Sequence, residues 1–295
     1  MTPIKRERRP HMFGENLDYA ILRTMAHKRN LATEKALDVE WLQQPPRPAD
    51  GVARLRMHIE RFGGLFPIDP DLRYLDIGCG NGELTLGLSE LGCTHVTGID
   101  VIPRNIAAAE SCARQIGAGS AVRFVCANVN DWTPAEKYDV LLSFDAFEHI
   151  DDPQRLLGKM ADFVAPRGVA VLGFGPLFHS PFGNHMSSFF RVRIPWCGVL
   201  FSEKAVLRVR RECYRPTDPA KRYQDIVGGL NMMRYSEFLT YVRDGGWDFD
   251  YLALNPRLKR VPVIGWVSAA VTRIPLIRDY FVFSVYAIIR RSPVA

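Results

Sequence analysis

The chain has 295 residues, 47% hydrophobic and 24% charged, a balance that fits an ordinary globular protein and excludes a disordered or fibrous one. Its net charge of +6 suits an anionic substrate or a membrane surface without selecting either. Six cysteines without a C-x-x-C pair argue against a zinc site or a disulfide frame, and predict reduced thiols in a cytoplasmic protein. No apolar run follows the basic start, so no signal peptide is expected, and residues 261–277 are too short and too broken by Pro262, Gly265, Arg273 and Pro275 to span a bilayer.

Residues 1–69 are expected to form a helical lid. Lys5 to Arg9 reads as a solvated basic tail. Leu17, Ala20, Ile21 and Met25 share one helical face. The Pro45-Pro46-Arg47-Pro48 run breaks the chain, and a second helix over 51–62 leads to Gly63-Gly64. Residues 70–176 then alternate: strands over 73–77, 95–99, 122–126, 140–144 and 169–174, with helices over 83–91, 106–116 and 155–163, the last closed by Pro166-Arg167-Gly168. Such alternation predicts right-handed βαβ units and a parallel sheet covered on both faces. An aromatic, Arg-rich insertion over 177–233 interrupts it. The core resumes over 234–295 with a helix near 236–244 and strands near 249–252 and 281–289, around a second insertion at 256–277. The sum is a doubly wound, mostly parallel sheet of seven strands.

The first strand runs into Leu75-Asp76-Ile77-Gly78-Cys79-Gly80-Asn81-Gly82-Glu83. Gly78, Gly80 and Gly82 let the backbone turn tightly and let a ligand approach it. They fall at the carboxyl end of strand one, where open α/β sheets bind ligands. The spacing is G-x-G-x-G rather than the dinucleotide G-x-G-x-x-G. Asp76 would repel a pyrophosphate and attract an ammonium or sulfonium. Asp100, ending strand two, is placed to accept hydrogen bonds from two ribose hydroxyls. Val101 and Ile102 follow it as packing for an adenine. Asn128 and the backbone N–H of Val129, ending strand three, suit the adenine edge. Phe144 and Asp145 stand at the mouth of strand four, and Phe144 is expected to flank the part of the bound cofactor that carries the positive charge.

Together these residues resemble the class I S-adenosylmethionine-dependent methyltransferases, particularly their small-molecule branch. The resemblance covers about 70–175 closely and 234–295 loosely. It implies the Rossmann-like methyltransferase fold and S-adenosylmethionine as cofactor. Tyr138 to Phe144 followed by Glu148-His149-Ile150 resembles the family's fourth-strand motif. Asn128 stands where the family commonly has Asp, and Pro166-Arg167-Gly168 where it has Pro-Gly-Gly.

Methyl transfer is an in-line displacement in which the protein mainly aligns the nucleophile, and an oxygen nucleophile often needs a base. His149, His179 and His185 are the candidate bases; a metal site is not expected. Arg191, Arg193 and Tyr223, in the aromatic and Arg-rich insertion, are candidates for an acceptor with apolar and anionic parts. The reading is transfer to a small-molecule, glycan or lipid-linked acceptor, with peripheral membrane contact or a homo-oligomer compatible with it. The alternatives are a nucleic-acid methyltransferase, disfavoured by the lack of an RNA module, and a non-catalytic cofactor-binding assembly protein.

Overall fold

Residues 14–26, 45–186, 190–215, 219–226, 229–258 and 261–292 are described by the computed structural model; the basic tail and residues 27–44 of the expected lid lie outside them. The strands are β1 (Arg73–Ile77), β2 (His95–Asp100), β3 (Val122–Cys126), β4 (Tyr138–Phe144), β5 (Val164–Phe174), β6 (Trp247–Leu254) and β7 (Val285–Arg291). They form one sheet in the order β3-β2-β1-β4-β5-β7-β6. The first five strands are parallel, and β7 runs antiparallel between β5 and β6. The helices are α1 (Glu15–Met25), α2 (Pro48–Arg61), α3 (Glu83–Glu90), α4 (Pro103–Gln115), α5 (Pro153–Phe163), α6 (Cys197–Leu200), α7 (Glu203–Cys213), α8 (Tyr235–Asp244) and α9 (Pro262–Val271).

The central strands are apolar along their whole length because helices cover both faces. Leu75, Leu141 and Leu172 enter one buried layer with Leu156 and Phe238, while Tyr74, Leu142 and Val171 enter the other with Leu55 and Leu86. The expected turn at Pro166-Arg167-Gly168 lies instead within β5, where the pairing with β4 shifts register between Tyr138 and Val140. Gly168 permits this, since a Cβ there would stand 2.7 Å from the Asp139 carbonyl oxygen.

The N-terminal helices divide between two partners. Helix α1 joins residues of the 177–233 insertion in a third apolar cluster, where Leu22 and Ala26 meet Phe178, Phe190, Val206 and Val209. Asp18 Oδ2 accepts from Ser202 N at 2.8 Å, and Tyr19 donates to Glu212 Oε2 at 2.5 Å. Helix α2 packs on the sheet side. Its Gly51 faces Gly87 of α3 so closely that a Cβ on Gly51 would overlap the Glu83 carbonyl. Further along α2, His58 stacks on Phe144 with ring centroids 3.9 Å apart. Arg61 Nη1 donates to His58 Nδ1 at 3.2 Å, which requires a neutral ring.

Two predictions come from the seating of α2. Alanine is the better helix former at an open position, but at Gly51 its methyl meets rigid backbone. Gly51→Ala is therefore expected to lower unfolding free energy by about 1–3 kcal/mol in denaturant titrations, an overpacking cost. An unchanged midpoint would mean that the two helices separate without loss. Burial, then the charges of Arg61 and Arg54, lower the His58 pKa from 6.5 to about 3. Between these values the unfolded chain binds the extra proton, so stability is present above pH 6.5 and is lost as pH falls. Measured against pH, stability of His58→Phe relative to wild type should rise by about 1.4 kcal/mol per unit from 6.5 toward about 5. Parallel pH profiles would contradict this.

Candidate functional site

The residues between β1 and α3 form the floor of the site. Gly78, Gly80 and Gly82 all have left-handed φ, at 72°, 56° and 86°. Gly78 and Gly82 need their bareness for packing: a Cβ on the first would overlap Ala146, and one on the second would lie 2.8 Å from the Ala109 methyl. Gly80 differs, because a Cβ there meets nothing within 4 Å, so its backbone presents an open face. Asp100 anchors this turn. Its Oδ2 accepts from Gly80 N at 3.0 Å and its Oδ1 from Ile102 N at 2.8 Å. Each oxygen keeps a lone pair for a further donor.

Asp76 sits beneath the loop, buried, with Oδ2 accepting from Thr85 Oγ1 at 2.7 Å. Burial pushes its pKa up to about 6, against the hydrogen bond from Thr85 and the charge of Arg54. Val101 is exposed at the rim of β2. Asn128 is exposed at the end of β3, its Oδ1 accepting from Asn130 N at 2.9 Å, while the Val129 side chain is buried. Phe144 is also buried, its ring held by His58.

Next to Phe144, Asp145 adopts φ 53°, a left-handed conformation that Asp tolerates better than most residues. Its Oδ2 accepts from Arg54 Nη2 at 3.1 Å, and Glu83 Oε2 accepts from Arg54 Nη1 at 3.3 Å. A cation from α2 thus bridges the start of α3 and the end of β4 over the glycine turn. Sequence reasoning missed Arg54. It is one of several arginines on an amphipathic helix, and only the seating of Gly51 reveals which one reaches the loop.

The histidines separate into two groups. His149, in a short 3-10 turn after β4, donates from Nδ1 to the Gly229 carbonyl at 2.6 Å, so its Nε2 carries the lone pair. His185 lies across from it, ring centroids 5.3 Å apart, with Nε2 donating to the Pro176 carbonyl at 3.2 Å. The surrounding protein and then His149 hold the His185 pKa below its ordinary value. His179 is buried instead between the rings of Phe178 and Tyr280. Glu148, also buried, accepts at Oε1 from Gly175 N at 3.0 Å, and burial pushes its pKa up to about 7.

On the acceptor side, Arg191 and Arg193 are exposed. The Arg191 backbone N donates to the Met25 carbonyl at 2.9 Å, tying the insertion to α1. Tyr223, expected to line an acceptor pocket, is only 2% exposed and packs on Phe178 with centroids 4.9 Å apart. It is a core residue of the insertion and presents no surface to a ligand. A cleft of about 290 Å³ lies at the opposite end of the strands, lined by Leu65, Asp139, Arg167 and Arg290 among others, away from all of these groups.

Residues 41–173 match the family described as Methyltransferase domain. The chain is 36% identical over 101 residues to a ubiquinone biosynthesis O-methyltransferase of Rhodopseudomonas palustris (strain BisB5), a match covering 34% of this chain and 39% of that one. It is 30% identical over 102 residues to a mitochondrial counterpart in Arabidopsis thaliana, covering 34% and 31%. The match thus spans well under half of those relatives. Among solved structures, a geranyl diphosphate C-methyltransferase from Streptomyces coelicolor A3(2) is 16% identical, with 85% of this chain and 86% of that one covered at a TM-score of 0.51. The [4+2]-cyclase SpnF is 15% identical, with 82% and 80% covered, also at 0.51. These two likenesses are of fold, and their different reactions show that the fold alone selects no chemistry.

Proposed function

We propose that residues 41–173, which match the family described as Methyltransferase domain, are the cofactor-binding part of a class I, S-adenosylmethionine-dependent methyltransferase, and that the protein transfers a methyl group from S-adenosylmethionine to a small acceptor in the cytoplasm. The observation that carries the reading is the open Gly80 backbone beside the Asp100 carboxylate, at the ends of adjacent parallel strands. That cradle fits a nucleoside. Asp100 accepts from the ribose hydroxyls, Val101 and Ile102 lie against the adenine, and Asn128 with the Val129 N–H meets its edge. Arg54 holds the carboxylate end of the methionine moiety, and Asp76 keeps a negative charge beneath its positive end.

When bound, the sulfonium supplies an electrophilic methyl carbon. The chain's own residues then align the acceptor and receive its proton. His149 suits the second task because the Gly229 carbonyl fixes its tautomer, leaving Nε2 to accept. An acceptor hydroxyl agrees with this and with the relatives that are O-methyltransferases. The exposed Arg191 and Arg193 favour an acceptor with an anionic part, and the apolar surroundings favour a lipid-linked or otherwise amphipathic one; a peripheral contact with a membrane belongs to the same reading.

The reading is tested first by calorimetry with S-adenosylmethionine and its demethylated product. Asp100→Ala should weaken binding by about 1.5–3 kcal/mol, the value of a hydrogen bond to a charged group. A loss below roughly threefold, with the fold intact, would remove Asp100 from the ribose. The acceptor is then identified by mass spectrometry over a panel of hydroxylated compounds. On that acceptor, His149→Gln should lower kcat by about 100-fold or more while cofactor affinity stays unchanged. An unaltered kcat would show that His149 is not the base.

A further inference from the structure

The connection between β6 and β7 emerges at the end of the sheet that carries the glycine turn. Leu254, ending β6, pairs with Val285, and Val285 pairs with Phe174 at the end of β5. Within this connection α9 is apolar but for Ser268, whose Oγ accepts from Asn255 Nδ2 at 2.9 Å, and only its Gly265 is buried. Val263 and Trp266 are 74% exposed and Leu276 is 89% exposed, with Ile264 and Val267 beside them. A short helix that is apolar nearly all round normally lies in a protein core or in lipid. Neither α9 nor any other described helix is long and apolar enough to cross a membrane, so an insertion in the plane of the interface is the geometry left for it.

The charge pattern selects the partner. Residues 256–280 contain Arg257, Lys259, Arg260, Arg273 and Arg278 against one acid, Asp279, whose carboxylate is taken up by Ser236 N and Oγ. Arg257 and Arg273 are exposed on either side of the helix. Cations flanking an apolar patch with an outward Trp match a bilayer surface, where head groups are anionic and the ring sits at their level. A second copy fits less well, because a two-fold interface would set these cations against one another. The segment also touches the acceptor side: Trp196 Nε1 donates to the Tyr280 carbonyl at 2.9 Å, and the Tyr280 ring lies 6.2 Å from that of His179.

We propose that α9 and its flanking arms dock this protein on a membrane surface bearing anionic phospholipids, beside the acceptor side of the site. The inference deepens the reading of a lipid-linked acceptor and rests on it only for the route that the acceptor takes. The full chain is mixed with phosphatidylcholine vesicles with and without phosphatidylglycerol, and co-sedimentation is measured. Binding to the phosphatidylglycerol vesicles is expected, weakening as salt is added. The double variant V263E/W266E should partition at least about tenfold less while titrating cofactor as wild type does. The proposal is overturned if the wild-type chain stays in the supernatant, or if V263E/W266E binds vesicles equally well. It is also overturned if analytical ultracentrifugation finds a dimer that this variant dissociates, which would give the patch to a second copy. Vesicle binding is read without acceptor or turnover, so a wrong acceptor class leaves this result unchanged.

Discussion

Two glycines set how closely α2 approaches α3, and most of the site follows from that approach. With hydrogen alone at Gly51 and Gly87, the helices meet backbone to backbone. One turn further along α2, Arg54 then comes within bonding distance of both Glu83 and Asp145. Another turn on, His58 reaches Phe144 at the end of β4. A larger residue at either glycine would lift the cation off the loop and uncover the ring. The arginine is partly exposed, so its ion pairs add little to stability; its value lies in where it holds charge.

The charges of the site lie at different depths. Asp76 and Glu148 are buried acids whose ionised forms are disfavoured by burial; Thr85 Oγ1 donates to the first carboxylate and Gly175 N to the second. Arg54, Asp145 and Asp100 lie nearer to solvent. A ligand with a positive centre and an anionic end therefore meets fixed charge of both signs without having to induce it. Both buried acids also serve structure, one joining β1 to α3 and the other joining the turn after β4 to the residue after β5.

The sheet and its glycine turn were legible from local pattern, because apolar runs, a change of period and three spaced glycines are properties of contiguous sequence. Asp100 could be placed for the same reason: the strand it ends is visible as a strand. Arg54 could not, since its role depends on a helix–helix distance that no local window contains. Tyr223 misled in the opposite direction. An aromatic in an Arg-rich insertion reads as pocket lining, but the insertion has a core of its own and Tyr223 fills it. Amphipathicity likewise shows that α1 and α2 each need a partner and says nothing of whether the partner is shared; α1 meets the insertion and α2 the sheet side.

The partner of α1 has a further consequence for how the molecule is made. Tyr19 and Glu212 are 193 positions apart, and Asp18 and Ser202 are 184 apart. At roughly 5–20 residues per second, the ribosome reaches α7 some tens of seconds after it has released α1. During that interval Leu22 and Ala26 have no apolar surface to cover them, although the parallel strands between are already free to pair. Helix α1 is thus among the last elements to find its place, its apolar stripe open until the insertion has been made.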